Sequence, residues 1–486
     1  MEQADQPAAV SRITAGTWHQ GPPAPHTAME VLMLEEAIAH YHALLDADTA
    51  RATYEQLTTE QREHNLFFGT RPLASVLRPR FITHEQYALL QNAVGLITRA
   101  ANRLAARMDD VPALRADLAL TPVEERLIAM HPGYPEPSAH SRMDTFLTID
   151  GQSLQFVEYN AESPAAIAYE DVLSEVFVQL PAMQRFAEHY KLSALPGRQH
   201  LLNTLLKAWR DFGGQHPPTI AILDWKGLPT HSEFLLFQQF FREHNLEAII
   251  CTPDDLRFAE GRLTAHTDAG ITPIDLVYKR VLTSEFIIHY GDQVFEHPLV
   301  QAYAAGAICM VNSFRAKLLH KKSIFALLTD DALAGEFSAD ERAAIARHIP
   351  WTRLVRAGTT SYQGSTIDLL AFARANQERL LLKPNDEYGG KGIVIGWETS
   401  ASEWGQALTE ALQSPFVLQE RVEIAYEDYP AMVDGALHIG RRLVDTDPFL
   451  FGTQVQGSLC RLSTVTLLNV TAGGGSTVPV FLIEPT

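Results

Sequence analysis

From Ala28 to about Arg115 apolar residues recur every three or four positions, as in MEVLMLEEAIAHYHALL and EQYALLQNAVGLITRAANRLAARM. That spacing predicts a run of amphipathic helices. The segment HPGYPEPSAH (131–140) ends the run, because each of its prolines removes an amide donor and fixes φ. Beyond it, DTFLTI and SLQFVEYN read as two strands turning back through Asp150-Gly151. A helix is predicted from about Ala166 to Tyr190.

Near residue 216 the texture changes. TIAILDW, LEAIICT, IDLVYKRV and GAICMVN are short apolar runs of the kind buried strands show, and SEFLLFQQFFREHN between the first two is an amphipathic helix. Strands alternating with helices at this spacing predict a small parallel α/β sheet over 216–312. From 313 a helix (FRAKLLHKKSIFALLTD) leads into a mixed region containing RLLLKPNDEYGGKGIVIGW, SPFVLQERVEI and the glycine-rich NVTAGGGSTVPVFLIEP. The expected fold class is therefore α/β with α+β character. Its parts are a mobile or draped tail (1–27), an N-terminal helical region (28–140), a hairpin-bearing part (141–215), the α/β part (216–312) and a closing mixed part (313–486).

With 486 residues the chain is too long for one ordinary core, in keeping with that division. The 58 acidic residues outnumber the 39 basic ones, for a formal charge of −19. Such a balance argues against nucleic acid as a main partner, since phosphate backbones need clustered Lys and Arg. A nucleotide needs only a few placed cations and is not excluded. Cys251, Cys309 and Cys460 are far apart in apolar runs, which reads as buried thiols in a reducing compartment rather than a disulfide frame or zinc site. No run reaches the ~18 apolar residues that span a bilayer, and the first residues lack a signal peptide's apolar stretch. A cytoplasmic enzyme is the expectation.

Two segments carry chemistry. In SRMDTFLTIDGQSLQFVEYNAESPAA, Asp144 lies near the start of one strand, with Glu158 and Asn160 at the end of its partner. Two carboxylates and an amide oxygen are the hard donors Mg²⁺ takes, and Mg²⁺ keeps its other positions for water and phosphate. Parity tests this. A plain two-residue turn at Asp150-Gly151 would put Asp144 and Glu158 on opposite faces, whereas a three-residue or bulged turn puts Arg142, Asp144, Glu158 and Asn160 on one face. The second turn type is expected here. In LLLKPNDEYGGKGIVIG, an apolar strand ends at Lys383, and Gly389, Gly390, Lys391 and Gly392 follow in a loop. Adjacent glycines let amide groups approach a polyphosphate, and two lysines neutralise it. The spacing is neither the P-loop GxxxxGK(S/T) nor the dinucleotide fingerprint GxGxxG. The strand SPFVLQERVEI could supply an adenine hinge through Gln419, Glu420 and Val422, or serve as an ordinary core strand.

Together these segments resemble the ATP-grasp superfamily. In members similar to D-alanine–D-alanine ligase the lysine and glycine loop precede the metal hairpin; here the order is reversed. RMD…EYNAESP (142–164) before KPNDEYGGKG (383–392) resembles the circularly permuted ATP-grasp proteins and the synthetase domain of glutathionylspermidine synthase. The resemblance covers roughly 140–486. It implies ATP and Mg²⁺ as cofactors, with Asp144, Glu158 and Asn160 as metal ligands. Arg142 would lie near the transferring phosphate, and Lys383 on the nucleotide phosphates. Lys322 falls where that family places a second lysine, with Lys317 and Lys321 as competitors. Arg461, Asn469 and Gly473–Gly475 resemble the closing segment of the permuted bacterial proteins. The implied activity is ligation of a small-molecule carboxylate to an amine, with a peptide or polyamine among the candidate substrates. A phosphotransferase of the same fold and an inactive nucleotide-binding scaffold are the alternatives. No cysteine occurs in the first 140 residues, so the amidase domain of the bifunctional enzymes has no counterpart. Tyr278, Lys279 and Arg280, at a strand end, are candidates for a substrate carboxylate, or else form a solvated strand end.

Overall fold

The computed structural model describes residues 28–465 and 475–486. The tail at 1–27, Asn469, Gly473 and Gly474 lie outside the described residues. Helices Ala28–Leu44, Ala47–Glu63 and His84–Asp110 form where the periodicity places them. The third is started by a capping box in which Thr83 and Gln86 satisfy each other's backbone amides. Its buried stripe (Leu90, Val94, Ile97, Ala101, Leu104, Met108) follows the helical period and enters the largest core.

That core lies against the main antiparallel sheet. Strand His140–Leu147 pairs with Leu154–Asn160 on one side and Asp447–Phe451 on the other. Asp447–Phe451 in turn pairs with Gln454–Ser463, so residues three hundred positions apart become neighbours of the hairpin. Strand Ser476–Pro485 joins the set by pairing with Gln454–Ser463, Arg80–Ile82 and Tyr190–Ala194.

The expected parallel sheet is present, in the spatial order Cys309–Val311, Leu276–Lys279, Ile220–Leu223, Ala248–Cys251. Helix His231–Glu243 packs Phe234, Phe237 and Phe241 on one face, and helix Pro298–Ala304 packs Leu299 and Val300 on the other. A three-stranded antiparallel sheet over 256–274, which the pattern did not suggest, is inserted between its second and third strands in sequence. A fourth sheet orders Thr352–Leu354, Phe416–Glu420, Leu380–Pro384 and Val394–Ile395 around Trp404 and Leu408.

Two expected helices are broken. The one from Ala166 becomes Ile167–Gln179 and Pro181–Phe186, because Leu180 is extended ahead of Pro181. The one from 313 becomes a 3-10 turn (Phe314–Ala316), Lys317–His320 and Ile324–Leu328, interrupted where Lys321 turns extended (ψ 130°). All three cysteines are free and buried. No helix among the described residues is long and apolar enough to cross a membrane.

Candidate functional site

The hairpin does bring Arg142, Asp144, Glu158 and Asn160 onto one face, with Arg142 opposite Asn160 and Asp144 opposite Glu158. The device differs from the expected one. Near the turn, opposed residues still follow the odd-sum register, as in Leu147–Leu154 and Thr145–Phe156. The turn is pinned by Asp150 Oδ1, which accepts from Thr148 Oγ1 (2.6 Å) and Gln152 N (3.0 Å). The extra residue sits inside the strand, at Val157. Leu154 and Phe156 are buried in the core before it, Tyr159 and Ala161 after it, so the core-facing phase slips by one. Glu158 and Asn160 are thereby turned away from the core.

Cations crowd these donors. Asp144 Oδ1 accepts from Arg142 Nε (3.0 Å) and Nη2 (2.9 Å) and from Asn160 Nδ2 (2.7 Å), and Oδ2 accepts from Arg461 Nη2 (2.6 Å). Glu158 Oε1 accepts from Lys322 Nζ at 2.8 Å. Lys383 Nζ donates to Val157 O, the bulge carbonyl, at 3.0 Å. Burial alone would raise the Asp144 carboxyl, but Arg142 and Arg461 outweigh it and bring it to about 2. Burial likewise works against the Glu158 carboxylate, and Lys322 and Lys383 pull it below its ordinary value. For Lys383 burial wins: the ammonium falls to about 8 despite Glu158 beside it.

The break at Lys321 separates the three competing lysines. Lys317 goes to Glu162 (3.3 Å) and Asp386 (2.7 Å), and Lys321 goes to Glu124 (2.8 Å) and Asp386 (2.8 Å). Of the three, Lys322 is the one that reaches a hairpin carboxylate among the described residues, Glu158 at 2.8 Å. The glycine loop begins on the same lysines. Asn385 accepts from Ser323 N (2.8 Å), Asp386 is held as above, and Tyr388 donates to Glu285 (2.9 Å). Gly389, Gly390 and Gly392 take φ of 65°, 75° and 72°, a left-handed backbone that side-chain-bearing residues adopt at a cost.

Between the hairpin and the fourth sheet lies a cleft of about 830 Å³, part of it open to solvent. Its polar wall holds Asp144, Glu158, Lys383, Asp445 and Arg461, with Gly390 at its rim; its apolar wall holds Leu381, Ile393, Ile395, Trp397, Val422 and Ile424. Gln419 and Glu420 also line it, but their side chains are engaged with Thr352 (3.1 Å) and Tyr362 (2.8 Å). The amides of Glu420 and Arg421 donate to Trp351 O and Arg379 O, so of the expected hinge residues Val422 is the one whose main chain makes no hydrogen bond among the described residues. Gly389, Lys391 and Gly392 do not line the cleft. Lys391 is exposed and pairs with Glu387 of its own loop (3.3 Å).

Tyr278, Lys279 and Arg280 are neither open carboxylate ligands nor a solvated strand end; all three are buried. Lys279 is consumed by Glu162 (2.9 Å), and Arg280 donates to Tyr278 Oη (3.2 Å) and Pro164 O. The structure adds Asp445 and Asp447, which sequence reasoning missed. Arg461 Nη2 lies 2.6 Å from Asp445 and 2.8 Å from Asp447. Burial pushes both carboxyls up, with Arg461 offsetting part of the rise. The alternating acids of VDTDPF, at the start of the strand beside the hairpin, were their only sequence signal.

A fold that sets a permuted nucleotide-type cleft between a carboxylate hairpin and a lysine–glycine loop defines an ATP-grasp class protein. Residues 79–463 match the family model Circularly permuted ATP-grasp type 2, and the chain belongs to that family. Among solved structures it is similar to a glutathione synthetase-like effector from Globodera pallida, with 11% identity and a TM-score of 0.53, over 93% of this chain and 97% of that one. A protein assigned as a gamma-glutamylcysteine synthetase from Methylobacillus flagellatus is 12% identical with a TM-score of 0.40, over 80% and 88%. D-alanyl-alanine synthetase A from Vibrio cholerae is 14% identical with a TM-score of 0.26, over 48% and 68%. No curated protein matches the chain at a significant level.

Proposed function

We propose that the chain is an ATP-dependent carboxylate–amine ligase that works through an acyl phosphate. The observation that carries this reading is the convergence of Asp144 and Glu158, Lys383, Arg461 and an apolar slot on one cleft. The slot formed by Leu381, Ile393, Ile395 and Val422 suits a flat base, with Val422 offering its edge hydrogen bonds. Lys383 and Lys322 would meet the phosphates, and Gly389–Gly392 would close over them.

Among the described residues no three His, Cys, Asp or Glu side chains form a ready metal cage. The donor set of two carboxylates and one amide fits Mg²⁺ held partly by nucleotide, with Asp144, Glu158 and Asn160 as the protein's share. When bound, Mg²⁺ neutralises phosphate charge.

The remaining work is positioning. A substrate carboxylate oxygen attacks the γ-phosphorus, and ADP departs with the bridging oxygen. The amine nitrogen then attacks the acyl carbon, phosphate leaves, and the amine's surplus proton goes to solvent. Arg142 and Arg461 would balance the charge that builds on the phosphoryl oxygens; removing one such donor typically costs about 10²–10³ in rate.

The test is an ADP-release screen against amino acids, polyamines and small peptides, singly and paired, with mass spectrometry of the product. Equal ADP and phosphate, released only when an acid and an amine are both present, is the expected result, with a product lighter than their sum by one water. ADP release to a single acceptor without free phosphate would identify a phosphotransferase. Absence of nucleotide binding altogether would end the reading.

A further inference from the structure

Arg461 sits among three carboxylates. Its Nη2 lies 2.6 Å from Asp144 Oδ2, 2.6 Å from Asp445 Oδ2 and 2.8 Å from Asp447 Oδ2. One guanidinium nitrogen carries two hydrogens, so it cannot donate to three carboxylates at once. All three acids are buried, and among the described residues Arg142 and Arg461 are the cations in ion pairs with them. Three acids thus share two arginine side chains, in a place where an uncompensated charge is costly.

The two oxygens of Asp144 are not equivalent. Oδ1 is saturated by Arg142 and Asn160, whereas Oδ2, among the described residues, is held by Arg461. Any divalent ion that binds Asp144 at Oδ2 must evict that nitrogen. Eviction needs only a pivot, because Arg461 stays anchored to Asp445 through its backbone N (2.6 Å) and Nε (2.7 Å). Arg461 lines the cleft, so the released nitrogen has the nucleotide side to turn to.

We propose that Arg461 is a built-in competitor for the divalent-ion seat on Asp144, displaced when the ion binds and then presented to the phosphates. The inference rests on the reading of Asp144 as a metal ligand. Its consequence is reciprocal coupling: phosphate that draws Arg461 away tightens the ion, and the ion frees Arg461 for phosphate.

The test uses Mn²⁺ as the probe, titrated by electron paramagnetic resonance into the full chain without nucleotide. Wild type, Arg461→Ala, Arg461→Lys and Asp144→Asn are compared, each checked for fold by circular dichroism. Arg461→Ala is expected to bind Mn²⁺ about tenfold more tightly than wild type, the lower end of what neighbours of a metal ligand contribute. Arg461→Lys should fall between them, and Asp144→Asn should bind least. Unchanged or weaker binding in folded Arg461→Ala, while Asp144→Asn is impaired, overturns the competition and leaves the metal reading standing. Wild-type binding by Asp144→Asn removes the metal reading itself. If Arg461→Ala does not fold, the ¹⁵N side-chain signal of Arg461 in wild type decides. It should move when Mg²⁺ is added and stay still in Asp144→Asn; no movement in wild type overturns the proposal.

Discussion

Lys383 links burial, charge and pH in one measurable quantity. Its ammonium is buried and donates to Val157 O, and burial brings its pKa from 10.5 to about 8 in the empty site. That drop corresponds to about 3 kcal/mol held against the charged form. A polyphosphate placed beside Lys383 restores the charged form, so nucleotide binding should draw in a proton wherever the empty site has lost one. At pH 8.5 the expected uptake is about three-quarters of a proton, and at pH 7 about a tenth. Isothermal titration calorimetry in two buffers of different ionisation enthalpy measures it directly. Lys383→Arg keeps the charge and cannot titrate in this range, so its uptake should be close to zero. An uptake at pH 8.5 no larger than at pH 7, or an equal uptake in Lys383→Arg, would refute the reasoning. The same shift has a stability side. The unfolded chain holds the lysine proton more tightly, so the penalty is fully present below pH 8 and fades as pH rises from 8 towards 10.5. Lys383→Met is therefore expected to melt higher than wild type at pH 7 while losing nucleotide affinity, with the gain in Tm shrinking above pH 8.

Three further outcomes are expected. Asp144→Asn and Glu158→Gln should abolish ADP release with unchanged circular dichroism; wild-type-like turnover in either would remove it from the metal set. Gly392→Ala adds a Cβ 2.8 Å from Pro384 Cγ at φ +72°. It should raise KM for ATP and speed proteolysis of the loop, with a local cost of about 1–3 kcal/mol; an unchanged KM would mean the loop does not close on nucleotide. Lys317→Met strips a buried cation from Glu162 and Asp386, and should cost about 3–5 kcal/mol in urea denaturation; a loss under 1 kcal/mol would refute the buried-network account.

The shared face of the hairpin side chains was legible because residues two apart on a strand share a face, and parity turned that into a yes-or-no question about the register. The location of the slip was in principle legible too: LQFVEYN shifts its apolar phase from Leu154 and Phe156 to Val157 and Tyr159. The choice among Lys317, Lys321 and Lys322 was not, because the backbone breaks at Lys321 only where Asn385 accepts from Ser323 and its carbonyl from Lys322. Lys279 and Arg280 misled for a related reason. A charged strand end reads as open when its partners, Glu162 and Pro164, are more than a hundred residues away. Asp445 and Asp447 needed the strand pairing Asp447–Phe451 with His140–Leu147, which no local pattern announces.

The slip at Val157 has a consequence for how this protein can vary in evolution. Most strands absorb a lost or gained residue by shortening a turn. Here the residue between Phe156 and Glu158 is the surplus one, so its loss would return the strand to plain alternation with Phe156 still in the core and Glu158 still opposite Asp144. Related genes that keep the site should therefore tolerate a one-residue gap at Val157, whereas a one-residue gap between Glu158 and Asn160 would put those two on opposite faces.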